Sequence, residues 1–207
     1  AASTLIPALL KRLRAEAPTT SLDIMTPSDV TFHDVENGKV DMAINRFEQL
    51  PQSFHQKTIW RDSFACLVHK QNPIHNHFNL DSYLKAQHIW VSKTGFGVGV
   101  GMDPADVQKL GWVDEALAKF GKQRNISVFT RNYHVAMHLA VETDLIATLP
   151  LRAAQLYKND PTMEILDPPF PIPSIELKMI WSPLLHQDAS HIWLRRMIVE
   201  IADELTH

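Results

Sequence analysis

This 207-residue chain has one cysteine, no long apolar run and no surplus of basic residues, and each shortage narrows its class. A lone Cys66 cannot found a disulfide framework. Lying in the apolar run 64–68, it reads as a buried strand thiol in a reduced, cytoplasmic protein rather than as a catalytic nucleophile. No apolar stretch approaches the roughly 18 residues that cross a bilayer, and no signal-peptide pattern opens the chain, so a soluble protein with no membrane partner is expected. Lys and Arg number 20 against 23 Asp and Glu, a net charge of −3. That balance argues against a chain that grips nucleic acid by itself, because phosphate neutralisation needs clustered cations.

Catalytic and cofactor signatures are missing as well. There is no G-x-S-x-G and no Walker loop. Gly95, Gly97, Gly99 and Gly101 alternate without forming G-x-G-x-x-G, and no acidic residue follows where a dinucleotide ribose would need it, so the segment reads as a loop. His134 and His138 stand four apart on an expected helix, but Val135 occupies the place where a zinc metalloprotease carries Glu. His75 and His77 lie in a polar turn and read as solvated. Neither an enzyme, nor a metal site, nor a cofactor is expected.

What is present is alternation of α and β. Residues 126–152 carry a strand at 126–129, a helix at 132–142 with Val135, Leu139 and Ala140 at helical spacing, and a second strand at 144–148. Thr130 and Asn132 offer cap side chains ahead of the helix. Such a βαβ crossover lies on a parallel sheet, whose ligands bind outside the carboxyl ends of the strands. The segment is preceded by a helix with Leu5, Leu9 and Leu13 on one face, capped by Ser3 or Thr4 and ended before Pro18, and by a strand at 21–25. A short helix at 30–37 stopping at Gly38 and strands at 40–44, 55–60, 63–69 and 88–92 come next, then a helix at 113–120. A strand at 176–181 and a final helix with Leu194, Ile198, Ile201 and Leu205 as its stripe close the chain. The polar turn at 70–80 and the Pro-rich turn at 167–173 read as two crossings, which predicts one lobe from residues 1–70 plus 174–207 and a second from residues 71–173.

The motifs STLIPALLKRLRAEAP at the start, ENGKVDMAI at 36–44, SFACLVHKQNPI at 63–74, DLIATLPLRAA at 144–154 and SHIWLRRMI at 190–198 run in order along nearly the whole chain. Together they resemble the effector-binding domain of LysR-type transcriptional regulators. The ATLP segment and the WLR of the last helix resemble the branch of nodulation regulators and regulators of nitroaromatic and naphthalene breakdown. The resemblance implies an α/β fold of two Rossmann-like lobes, like type-2 periplasmic binding proteins and joined by two crossover segments, with a small inducer in the inter-lobe cleft. It also implies an N-terminal winged helix-turn-helix and linker helix, which these residues do not contain, and a first strand that would precede Ala1. A truncated chain is therefore expected, with DNA contacted only through the missing part. Asp41, within the DMAI motif, is expected to be structural.

Helix N-termini carry unpaired N–H groups and partial positive charge, so they favour an anion, here a carboxylate. Three are expected to face the cleft, at Ser3 and Thr4, at Thr94, Gly95 and Phe96, and at Thr130, Asn132, Tyr133 and His134. Asn45, Arg46 and Phe47 follow one strand, Thr148 lies at the end of another, and Phe170 offers an apolar wall. The partners expected are a small-molecule effector and a second copy in a two-fold homodimer, or a tetramer for the full-length protein. The surfaces assigned to pairing are the first helix around Leu9 to Arg14 and the second lobe's residues 112–124. A transporter's solute-binding protein shares the fold and is the alternative, and a cleft enzyme lacks an identifiable nucleophile and base.

Overall fold

A computed structural model of the chain describes residues 2–26, 29–47, 49–91 and 111–206. Among them the chain divides into two compact units. The first runs to Arg61 and resumes at Ile175, and the second runs from Asp62 through Ser174.

Unit one is built on a three-stranded sheet in the order β1 (Ala43–Asn45), β8 (Ile175–Trp181), β2 (His55–Asp62). Strand β8 runs antiparallel to β1 and shows the two-residue alternation of a sheet covered on both faces. Met179 and Trp181 join Leu5, Leu9 and Leu13 of helix α1 (Ala2–Glu16) and Met197, Ile198, Ile201 and Ala202 of the last helix, α7 (Ala189–Glu204), in one core. Ile180 joins Val35, Ala43 and Phe54 in a second core. Each large apolar side chain fully buried in this way contributes about 1.5 to 3 kcal/mol. Helix α2 (Phe32–Glu36) has a capping box at Thr31 and Asp34, and it is followed by Gly38 at φ 71°, the left-handed position where only glycine costs nothing.

Three expectations for this unit are corrected. Residues 21–25 carry strand-like alternation but do not form a strand, and Ile24 and Met25 are about half exposed. A strand exists only where a neighbour takes its N–H and C=O groups, and no described segment pairs with this one. Helix α1 begins at Ala2, so Ser3 and Thr4 lie in its first turn rather than at its cap. In α7, Leu205 falls just beyond the helix and is exposed, while Met197 and Ala202 complete the buried face.

Unit two holds a five-stranded sheet in the order β5 (Asn125–Thr130), β4 (Gln87–Val91), β6 (Ile146–Pro150), β3 (Phe64–His69), β7 (Met163–Leu166). Strand β4 pairs parallel with both β5 and β6, and β3 pairs antiparallel with β6 and β7. The expected strand, helix and strand are present, with α5 (Tyr133–Glu142) between β5 and β6 and the short α6 (Leu151–Ala154) after β6, though β4 lies between the two strands. The buried face of α5 is Ala136, Met137 and Ala140, packed on Ala147 and Leu149 of β6, whereas Val135 is 46% exposed. Two alanines let the helix approach the sheet closely. Of the three residues expected to face inward, Ala140 is buried and Leu139 packs against the same core, and only Val135 points away.

The first division between the units falls at Arg61 and Asp62, ahead of the polar turn at 70–80. The reason is local: Ser63 alone separates β2 from β3, so the chain passes straight from one sheet into the other. The polar turn forms a 3-10 turn at Pro73–Asn76 and the Asn79-capped helix α3 (Leu80–Lys85), both inside unit two.

Candidate functional site

At the carboxyl end of β5 the chain enters α5 through a turn built by its own side chains. The Asn132 backbone N–H donates to Thr130 Oγ1 at 3.1 Å, and Asn132 Oδ1 accepts from the backbone N–H of His134 at 2.8 Å and of Val135 at 3.4 Å. Thr130, Asn132, Tyr133 and His134 are thereby held in one exposed to half-buried cluster at the positive end of a ten-residue helix.

The other expected residues are placed elsewhere. In unit two, Thr148 and Phe170 are buried in the core on the opposite face of the sheet from α5. The Thr148 hydroxyl shares hydrogen bonds with Tyr83 Oη at 2.7 Å and Cys66 Sγ at 3.4 Å, and the Phe170 ring meets Tyr83 edge-on at 5.3 Å between centroids. In unit one, Asn45 ends β1, and Arg46 and Phe47 follow it. Asn45 Oδ1 accepts from the Arg46 backbone N–H at 2.7 Å, and Phe47 packs 6.1 Å from Phe32 in a core cluster. Thr4 is half-buried in α1, and the backbone carbonyl of Asp41 accepts from His191 Nε2 at 2.9 Å. Thr94, Gly95 and Phe96 lie outside the described residues.

The family-level comparisons fit this architecture. The model of the LysR substrate binding domain matches residues 1–203. The chain belongs to the LysR substrate-binding domain family. It is 29% identical over 205 residues to the HTH-type transcriptional regulator SyrM 1 of Sinorhizobium fredii, covering 97% of this chain and 56% of that protein. It is 25% identical over 198 residues to the HTH-type transcriptional activator NahR of Pseudomonas putida, covering 95% and 62%. The regulatory domain of MexT, a transcriptional activator in Pseudomonas aeruginosa, superposes with a TM-score of 0.74 at 29% identity, over 96% of this chain and 91% of that one. The chain thus spans just over half to three fifths of the length of the two curated relatives, and it has the periplasmic-binding-protein-like two-lobe fold of LysR regulatory domains.

Two polar clusters of this LysR domain escaped the sequence. In unit two, Arg124 Nε and Nη2 donate to the two carboxylate oxygens of Asp114 at 3.0 and 2.8 Å, with side chains 2% and 7% exposed. The Arg124 Nη1 group reaches Tyr83 Oη at 3.5 Å, joining the pair to Thr148 and Cys66. Burial pushes the Cys66 thiol up to about 12, against smaller opposite pulls from Thr148 and Arg124. His88, wholly buried beside them, donates from Nε2 to the Tyr83 carbonyl at 2.6 Å, and burial, with the Arg124 charge adding, lowers it to about 3. In unit one, His55 and His186 stack at 3.7 Å between centroids, and Trp181 Nε1 donates to His186 Nδ1 at 3.2 Å. Desolvation, then the His55 and Arg195 charges, hold His186 below the ordinary imidazole range. No spacing rule links residues this far apart in sequence, so no signal in the chain points to either cluster.

Proposed function

We propose that this LysR domain is the sensing part of a transcriptional regulator whose effector is a small carboxylate-bearing molecule recognised at the N-terminus of α5. The supporting observation is the cluster at 130–134, where a hydroxyl, an amide, an imidazole and a tyrosine ring gather at a helix N-terminus that favours negative charge. In unit one, Asn45, Arg46 and Phe47, at the carboxyl end of β1, are a separate candidate for effector contact. DNA contact would come from a helix-turn-helix segment of the kind that names the relatives, because these 207 residues carry a net charge of −3.

Pairing into a two-fold dimer is part of the reading. Leu9 and Leu13 are core residues, so the face of α1 open to a partner is the one carrying Leu10, 45% exposed, and Phe120 after helix α4 (Trp112–Ala118) is 54% exposed. Light scattering at micromolar concentration tests this, and a monomer's mass alone would remove it. The effector is tested by a thermal-shift screen of aromatic and aliphatic carboxylic acids, in which a ligand of the folded state raises the melting temperature. Calorimetric titration of a Thr130→Val variant follows. A hydroxyl bonded to the ligand predicts binding weaker by about 1 to 2 kcal/mol, and parental affinity in a folded variant would take Thr130 out of the site.

A further inference from the structure

Unit one has an open surface pocket of about 420 Å³ between the edge of its sheet and α7, within the size range of small-molecule sites. Met179 and Trp181 of β8, only 1% and 7% exposed, form its floor, and Ile192 and Val199 of α7 add an apolar wall. The rest of the lining is polar and unequal in charge. Lys57, Arg195 and Arg196 contribute three positive charges and Glu200 one negative, and Arg12 already engages that carboxylate at 3.0 Å. Arg195 is fixed over the Trp181 ring at 4.5 Å to its centroid, its guanidinium donating to the Leu185 and His186 carbonyls. Lys57 and Arg196 are exposed, and among the described residues neither side chain forms an ion pair or hydrogen bond.

We propose that this pocket binds a small organic anion, an aromatic or alkyl carboxylate whose apolar body lies on Ile192, Val199 and the open edge of Trp181 and whose charge faces Lys57 and Arg196. An apolar floor and wall beside unpaired cations suit such a molecule better than they suit either a neutral ligand or a bare inorganic anion. The first would leave the charge unanswered and the second would leave the apolar floor uncovered. None of these residues belongs to the α5 cluster, and this binding does not depend on what that cluster recognises.

The test uses naphthalene-2-carboxylate as probe, followed by two-dimensional NMR of the whole chain. The Trp181 indole N–H and the amides of Gln56 and Lys57 are the reporters. Saturable shifts are expected at millimolar probe. Binding should be about tenfold weaker for neutral naphthalene-2-carboxamide, and about tenfold weaker in the exposed-charge variant Lys57→Gln/Arg196→Gln. A Thr130→Val variant should leave these reporters unchanged, which separates this site from the α5 reading. Unmoved reporters, equal binding of acid and amide, or undiminished affinity in the double variant would each overturn the proposal. So would shifts of the same resonances that grow with protein concentration in the absence of probe, because they would give the pocket to a second copy of the chain.

Discussion

Replacing Asp114 with alanine should be among the most damaging single changes available in unit two. Arg124 is almost wholly enclosed, and its Nε and Nη2 groups donate to the two oxygens of that one carboxylate at 3.0 and 2.8 Å. Burial by itself would lower the guanidinium's affinity for its proton, but the Tyr83 and Asp114 oxygens more than offset it, so Arg124 is charged in the fold. Removing the carboxylate takes away both of those hydrogen bonds and the opposite charge, and the Tyr83 hydroxyl at 3.5 Å is too long and weak a contact to replace them. A buried pair broken from one side costs about 3 to 5 kcal/mol, equivalent to two to four powers of ten in the folding equilibrium. Against a urea dependence of about 3 kcal/mol/M, the midpoint for unit two should fall by about 1 to 2 M. Amide exchange on β4 and β5 follows that unit by itself. Taking out both charges in Asp114→Leu/Arg124→Met should restore most of the loss, because desolvation of the pair nearly cancels its attraction. Two results would refute this: an Asp114→Ala protein within about 1 kcal/mol of the parent, or a double variant no more stable than the single one.

The remaining predictions concern the same unit. A Cβ added at Gly111 would meet Trp90 Nε1 at 2.6 Å and Asp114 Oδ2 at 2.8 Å, one a rigid indole and the other a carboxylate held by Arg124, so Gly111→Ala should cost about 1 to 3 kcal/mol in chemical denaturation. His88 stays neutral in the fold down to about pH 3, whereas the unfolded imidazole takes its proton near 6.5. The unfolded state therefore binds more protons in that interval, and stability, complete above about pH 6.5, should fall by about 1.4 kcal/mol for each pH unit toward 3. A folded His88→Gln variant should lose that part of the slope in pH-dependent denaturation. Cys66, buried and pushed up to about 12, should resist iodoacetamide at about pH 8 in the native protein and react fully in guanidinium, as mass spectrometry would read.

Local chemistry determined the elements that the sequence predicted well. Leu5, Leu9 and Leu13 recur every four residues and are buried in α1, Thr31 with Asp34 starts α2 ahead of Gly38, and Asn132 caps α5, because periodicity and capping act within a turn or two of chain. The order of motifs carried the family in the same way. Tertiary structure decided the rest. Residues 21–25 needed a pairing neighbour that no local pattern supplies, and the division at Arg61 and Asp62 depends on which strands β2 and β3 join. Thr148 was legible as part of a strand, but the pleat turned it to the face where Tyr83 and Cys66 lie, and a shift of one residue would have sent it to the other. No local pattern pairs Arg124 with Asp114, ten residues away, and only the fold buries them together, while Lys57 met Trp181 and Arg196 only across a sheet and a helix. Composition and spacing fix what a residue can do within its own turn or strand, whereas burial, partner and charge balance come from segments distant in sequence.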